Sequence, residues 1–242
     1  MTRDLLWRGM LAGILAAVLA TLFAQAVAEP QIDLAIGVEQ SHHGHHAASD
    51  EAAPDEEELV SRATQKGVGL LTALALYGAA VGGIFSLVFA YGYGRFARIG
   101  PRSFALLLAG AAFLLIVLVP SIKYPQMPPA VGQHETVGVR TAAYFGMIIL
   151  SVGAAIIAGK LRIVFARVMR GFDAALLSVG SYVALLIIGQ ALLPAIDEVP
   201  ADFPATLLWN FRVASMGTQL ILWTVIGVAF GWMAERILAR QR

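Results

Sequence analysis

The sequence predicts an all-α integral membrane protein with six transmembrane helices. Three observations carry that reading: six apolar stretches each long enough to cross a bilayer, a charged fraction well below that of soluble proteins, and a one-sided distribution of arginine and lysine. Of the 242 residues, 58% are hydrophobic and 14% charged, whereas a soluble domain carries about 25% charged residues. Such a surface is poorly solvated by water. A helix rises about 1.5 Å per residue and the hydrocarbon core is about 30 Å thick, so a span takes about 20 mostly apolar residues. The qualifying stretches run Leu5 to Ala28, Gly67 to Tyr93, Ser103 to Ile122, Thr141 to Gly159, Phe172 to Leu193 and Val213 to Met233. Lipid offers no partner to backbone N–H and C=O groups, so each stretch must be a helix or a barrel strand, and these runs lack the alternation of a barrel.

The first span opens with Arg3 and Arg8 and closes on Ala26-Val27-Ala28. That pattern admits two readings, a retained helix or a secretory signal cut before Glu29, which would leave five spans. The apolar run exceeds the about 7–15 residues of a signal core, which favours the retained helix. After this helix (1–28) comes a polar segment (29–66) with Pro30, Pro54, the run Asp55-Glu56-Glu57-Glu58 and four of the five histidines; its middle has too little apolar surface to fold by burial. Residues 67–242 form a helical membrane domain with the five further spans. Its two other loops on the same side are short and proline-rich, with Pro120, Pro125, Pro128 and Pro129 in one and Pro194, Pro200 and Pro204 in the other; rigid turns are expected there.

Orientation follows from the loops. Arg3, Arg8, Arg95, Arg98, Arg102, Lys160, Arg162, Arg167, Arg170, Arg236, Arg240 and Arg242 fall on one side, 12 of the 17 basic residues, while 13 of the 16 acidic residues lie on the other. The basic side is the cytoplasm by the positive-inside rule. Both termini are therefore expected in the cytoplasm, in a multi-pass protein of the cytoplasmic membrane, with the 29–66 segment as an extracytoplasmic acidic, histidine-bearing loop. The net charge of +1 gives no sign of a nucleic-acid partner, and the absence of cysteine excludes disulfides and thiolate ligands.

A short word recurs where three helices reach the outer side: Pro30-Gln31-Ile32-Asp33, Pro120-Ser121-Ile122-Lys123 and Pro194-Ala195-Ile196-Asp197. Each outer loop then ends on an arginine, Arg62, Arg140 or Arg212. These suggest three repeated helical hairpins about an axis along the membrane normal; chance similarity in a biased composition is the competing explanation. The pairs Gly9/Gly13, Gly78/Gly82 and Gly227/Gly231 have the small-x-x-x-small spacing that lets helices approach closely in lipid.

The sharpest chemical feature is His42-His43-Gly44-His45-His46. Neutral imidazole ligates divalent cobalt, nickel, copper and zinc, and on a helix His42, His45 and His46 share a face. The flanking Asp50, Glu51 and Asp55 to Glu58 add oxygen ligands and a cation-concentrating field. The competing reading is a solvated polar loop. His134 stands alone beside Glu135 and reads as a surface side chain. At the outer boundary Asp33, Lys123, Arg140, Asp197 and Arg212 are candidates for an ion-pair ring, against the alternative of snorkelling or separate pairs. No phosphate-cradling Gly-x-x-x-x-Gly-Lys-Ser/Thr word, His-Glu-x-x-His or Gly-x-Ser-x-Gly is present, so no enzyme and no covalent cofactor is predicted.

The stretch Pro120-Ser-Ile-Lys-Tyr-Pro-Gln-Met-Pro-Pro-Ala-Val-Gly132, the segment Arg140-Thr-Ala-Ala-Tyr-Phe145 and the closing Phe211-Arg-Val-Ala-Ser-Met-Gly-Thr-Gln219 through Gly231-Trp-Met-Ala-Glu-Arg236 resemble the CbtA family of predicted cobalt transporter subunits. The resemblance spans essentially the whole chain, and the Lys-Tyr-Pro word is its most specific part. It implies cobalt as the transported substrate and a small, single-span, histidine-bearing CbtB partner, and it supplies no site residues. Two readings without transport stay open beside it: a membrane-anchored metal-binding protein, and an assembly subunit.

Overall fold

The computed structural model describes residues 2–46, 61–95, 99–129 and 131–239. Among them every regular element is helical. Helix α1 comprises Thr2–Phe23, a π-helical turn Ala24–Ala28 and Glu29–His46. Helix α2 comprises Arg62–Thr64, a π turn Gln65–Gly69 and Leu70–Gly92; the Ser61 side chain caps its start by accepting from the Thr64 N–H. Helix α3 is Pro101–Lys123, with a π turn at Phe113–Leu118. Helices α4 (Val137–Phe165), α5 (Gly171–Leu192) and α6 (Ala205–Ala239) complete the set. All six contain windows apolar and long enough to cross a membrane. The chain is a multi-pass membrane protein, as its composition predicts.

The first helix departs from the sequence expectation of a loop beginning at Glu29, because it runs on as helix through Pro30 to His46. Proline lacks an N–H and its ring crowds the preceding turn. The π turn at Ala24–Ala28 widens the backbone just before Pro30, and the same arrangement recurs in α3, where the π turn Phe113–Leu118 precedes Pro120. Two of the three recurring Pro-x-Ile words thus sit inside a continuing helix. The third differs: α5 ends at Leu192, before Pro194. A helix of α1's length, 45 residues at about 1.5 Å each, extends well past about 30 Å of hydrocarbon.

The chain divides into two compact units. The first contains α1, α2, the beginning of α3 and α6. Here α1 and α2 meet backbone to backbone: a methyl group added at Gly9 would overlap the carbonyl of Gly82, and one added at Gly13 the carbonyl of Gly78. Ala12, Ala16, Ala17 and Ala20 are fully buried along α1. Small residues serve this role in lipid because apolar burial gives little net drive there and close van der Waals approach must supply it. Helix α6 repeats the device against α3, with Gly227 facing Ala109 and Gly231 facing Ala105 and the Arg102 backbone. An aromatic cluster fills the remaining space; Phe89 and Phe230 lie edge to face with ring centroids 5.0 Å apart, and Phe85 and Phe104 pack on the same pair.

The second unit contains the end of α3, α4, α5 and the two proline-rich loops. Tyr124, Ala143 and Met147 form its buried centre, with Leu150, Leu186, Leu193 and Ile196 packed around them. Polar contacts join α4 and α5: Ser178 donates to the Ala158 carbonyl (2.7 Å) and Ser151 pairs with the Tyr182 hydroxyl (3.1 Å).

The glycine contact makes a direct prediction. Gly13→Ala should destabilise the protein by at least about 1–3 kcal/mol, since the backbone it would strike cannot yield like a side chain. Gly37→Ala on the same helix, with open space around it, should be neutral or stabilising by up to about 1 kcal/mol. Denaturant unfolding of the purified protein in detergent distinguishes the two; equal stability of both variants would contradict the packing.

Candidate functional site

Beyond the glycine contact, α1 presents Gln25, Glu29 and Asp33 at successive four-residue intervals, a stripe along one face. Helix α2 presents Arg62 and Lys66 at the same spacing. Arg62 donates to Glu29 (2.7 Å) and to Asp33 (3.3 Å), Lys66 pairs with the second oxygen of Asp33, and the Gln25 amide donates to the Lys66 carbonyl (3.2 Å). Glu29 is buried. The register is the one set by the glycines: in the pairs Gly9–Gly82, Gly13–Gly78, Gln25–Lys66 and Glu29–Arg62 the residue numbers add to one constant total. Each helix carries one π turn in that interval, Ala24–Ala28 in α1 and Gln65–Gly69 in α2. A π turn inserts about one residue, so an insertion in one helix alone would slip the register; the matched pair preserves it.

An open cleft of about 320 Å³ lies at this network, lined by Gln25, Glu29, Pro30, Asp33, Lys66 and Gly67. Helix α1 then continues for more than two turns to the histidines. From Asp33 to His42 the rise is about 13 Å. The backbone at His42, His43, His45 and His46 is helical, so positions 42, 45 and 46 fall on one face. The acidic residues Asp50, Glu51 and Asp55 to Glu58 lie outside the described residues. The side chains of residues 41–46, the four histidines included, lie outside the described ones; among the side chains described, no group of three or more histidine, aspartate or glutamate residues able to hold a metal stands together.

The five boundary residues divide between the units. Asp33 and Arg212 belong to the first, and Lys123, Arg140 and Asp197 to the second. Asp33 engages Arg62 and Lys66. Arg212 stands half-buried on α6 and Asp197 is exposed in its loop. Lys123 donates to the Gln190 carbonyl (2.8 Å). That acceptor would ordinarily receive the N–H four residues on, but the residue there is Pro194, which has none; the lysine takes the vacant place at the end of α5. The adjacent Tyr124, itself buried, donates to the Pro194 carbonyl (2.7 Å). Lys123-Tyr124 is thus a clasp that closes the α3 exit onto the proline corner after α5.

Arg140 pairs with Glu198 (3.4 Å) and donates to the Gln133 carbonyl (3.3 Å), while Glu198 accepts from the Gln133 N–H (3.0 Å). Gly132 has φ +105° and lies directly against the Arg140 guanidinium. A side chain there would be strained and would displace the arginine. Glu29, Lys66 and Glu198 are the participants that sequence reasoning missed. For the first two the signal was available, since Glu29/Asp33 and Arg62/Lys66 have matching four-residue spacings; for Glu198 nothing local distinguishes it from Asp197.

At the opposite end of the first unit the arginines lie against aromatic rings. The Arg236 guanidinium stacks 3.4 Å from the Trp232 ring centroid and Arg95 lies 4.5 Å over Tyr91, an arrangement suited to a bilayer interface. Arg102 pairs with Glu235, an exposed pair of the kind that adds little stability.

Hydrogen bonds from Thr136 and the Gln133 N–H, with the charge of Arg140, hold the Glu198 carboxyl below its ordinary pKa of 4.5, outweighing the upward push of burial. A depressed carboxyl pKa contributes stability that is complete above the unfolded value and is lost as pH falls through the folded one. Proteolysis of the 193–204 loop should therefore accelerate on acidification below about pH 4.5, the unperturbed value. Glu198→Gln should show the faster cleavage already at neutral pH, and Asp197→Asn should not. Tyr124→Phe should cost about 1 kcal/mol or more by orphaning the Pro194 carbonyl; unfolding in detergent reads the loss.

A family model described as "Probable cobalt transporter subunit (CbtA)" matches residues 2–235 of the chain. No curated protein matches, and no solved structure does.

Proposed function

Since this chain belongs to the CbtA family, we propose that it is the membrane subunit of a divalent-metal transporter, with cobalt as substrate, and that His42, His43, His45 and His46 capture the ion outside the cytoplasmic membrane. The observation that carries the reading is the continuity of α1: a single helix leads from the bilayer past Glu29 and Asp33 to the histidine positions. Imidazoles on one face of a helix converge on an ion better than on a free loop. The first ring nitrogens to meet the metal must be neutral, so capture weakens as pH falls through about 6.5. The family description, a subunit, implies a partner; a small, single-span, histidine-bearing CbtB-type protein fits, as a second set of imidazoles to receive the ion.

In this arrangement the termini and the arginine-rich connections face the cytoplasm, as the positive-inside rule requires. The ion-pair network of Glu29, Asp33, Arg62 and Lys66 in the first unit and the Lys123-Tyr124 clasp in the second act as structural fastenings. Cationic partners already neutralise the carboxylates there, which argues for a fastening over a metal site. Of the candidate ring residues Asp33, Lys123, Arg140, Asp197 and Arg212, the contacts of Asp33, Lys123 and Arg140 favour separate fastenings over one ring. The protein works as a carrier component without catalysis of its own.

Cells expressing the chain with its partner should accumulate radioactive cobalt faster than cells lacking it, with competition by nickel weaker than by unlabelled cobalt. No difference in accumulation removes the transport reading. Replacing the four histidines by alanine should raise the external cobalt needed for half-maximal uptake several-fold at little cost to the maximal rate, and should abolish the loss of capture between pH 7 and about pH 6 that protonation causes. Unchanged cobalt binding by calorimetry after all four replacements would refute the capture role.

A further inference from the structure

The matched π turns of α1 and α2 are held in place by different means. In α1 the turn Ala24–Ala28 stands directly before Pro30. In a regular helix the proline ring would crowd the carbonyl four residues back, at Ala26, so the wider turn is favoured by α1's own covalent structure. Helix α2 has no such residue, since no proline stands between Ser61 and Gly92. Nor does packing hold its turn: none of Gln65–Gly69 is buried, and a methyl group added at Gly67 would meet open space.

The hydrogen bonds of α2 show what does. In a regular helix the Leu70 N–H would donate to the Lys66 carbonyl, four residues back. Here it donates to the carbonyls of Gln65 and Gly67 instead. The Lys66 carbonyl that it passes over receives the side-chain amide of Gln25 at 3.2 Å, and Gln25 lies inside the π turn of α1. One turn thus supplies the donor for the acceptor that the other exposes. With the amide withdrawn, Leu70 can recover Lys66 and α2 becomes regular. Outward of its turn the described part of α2 has only Arg62–Thr64 to rotate, whereas the same change in α1 would swing all of Glu29–His46.

We propose that the π turn of α2 is a two-state element latched by Gln25. With the amide on the Lys66 carbonyl the turn is π, and Arg62 lies against Glu29 and Asp33. With the amide withdrawn the turn reverts to α, and Arg62 swings away by about 100°, the rotation of one helical residue. The buried carboxylate of Glu29 then faces the cleft it lines without its guanidinium. Gln25, Lys66 and Gly67 line the same open cleft, so the latch is reachable from outside the helix pair. The fastening is therefore also a switch, whichever ion, if any, the protein carries.

The chain has no cysteine, so introduced cysteines bearing nitroxide labels report each turn separately in the full chain in lipid nanodiscs. Thr64→Cys with Leu76→Cys brackets the turn of α2, and Leu22→Cys with Leu34→Cys brackets that of α1; all four positions are exposed. Pulsed electron spin resonance should give one distance for each pair when Gln25 is present. Gln25→Leu should add a second Thr64–Leu76 distance, several ångströms from the first, and leave the Leu22–Leu34 distance unchanged. Lys66→Met, which keeps the carbonyl but removes the ammonium paired with Asp33, should alter neither. An unchanged Thr64–Leu76 distance in Gln25→Leu overturns the proposal. A change in the Leu22–Leu34 pair overturns it as well, since the movable turn would then be that of α1, and so does a second distance in Lys66→Met, which would give the hold to the ion pair. Should Gln25→Leu fail to fold, Gln25→Glu, which keeps the length and loses the amide donor, decides by the same readings.

Discussion

The backbone contact of α1 with α2 at Gly9, Gly13, Gly78 and Gly82 is the constraint on which the first unit depends. In lipid the separation of two helices is set by the largest atoms between them, and here those atoms are main-chain carbonyls. That proximity has consequences further along the same helices. Because the register is fixed at the glycines, the Gln25, Glu29, Asp33 stripe of α1 arrives opposite Arg62 and Lys66 of α2. Bulkier residues at the contact would part the helices and pull the ion pairs beyond bonding distance.

Proline and the π turns are the second organising element. A π turn before Pro30 and another before Pro120 let two helices continue through residues that ordinarily end them. In α1 the insertion would have cost the register, had α2 not carried its own at Gln65–Gly69. After α5 the solution is different. There the helix stops, the carbonyl that Pro194 cannot satisfy is taken by Lys123, and Tyr124 takes the next. One physical problem, the missing N–H of proline near the edge of the membrane, is answered locally by backbone geometry in two places and by a distant side chain in the third.

The same accounting separates fastening from function. In the first unit the carboxylates of Glu29 and Asp33 are matched with Arg62 and Lys66, as the cost of charge in a low-dielectric region demands. A site that must bind and release an ion needs ligands held in place yet not already neutralised by protein cations.

The sequence alone determined the six spans, the sidedness of charge and the close-packing glycines, because hydropathy, the arginine count and small-residue spacing are local properties that the bilayer reads segment by segment. It also singled out the histidine positions. Tertiary structure decided what lies between these. That Glu29–His46 stays helical depends on a π turn that accommodates Pro30, and hydropathy carries no trace of that geometry. That Asp33 finds Arg62 and Lys66, while Lys123 finds a carbonyl and Arg140 finds Glu198, depends on which helix faces bring side chains within about 3 Å. Charge type and depth, which the sequence gives away, leave that choice among several partners open; only the register of packed helices closes it.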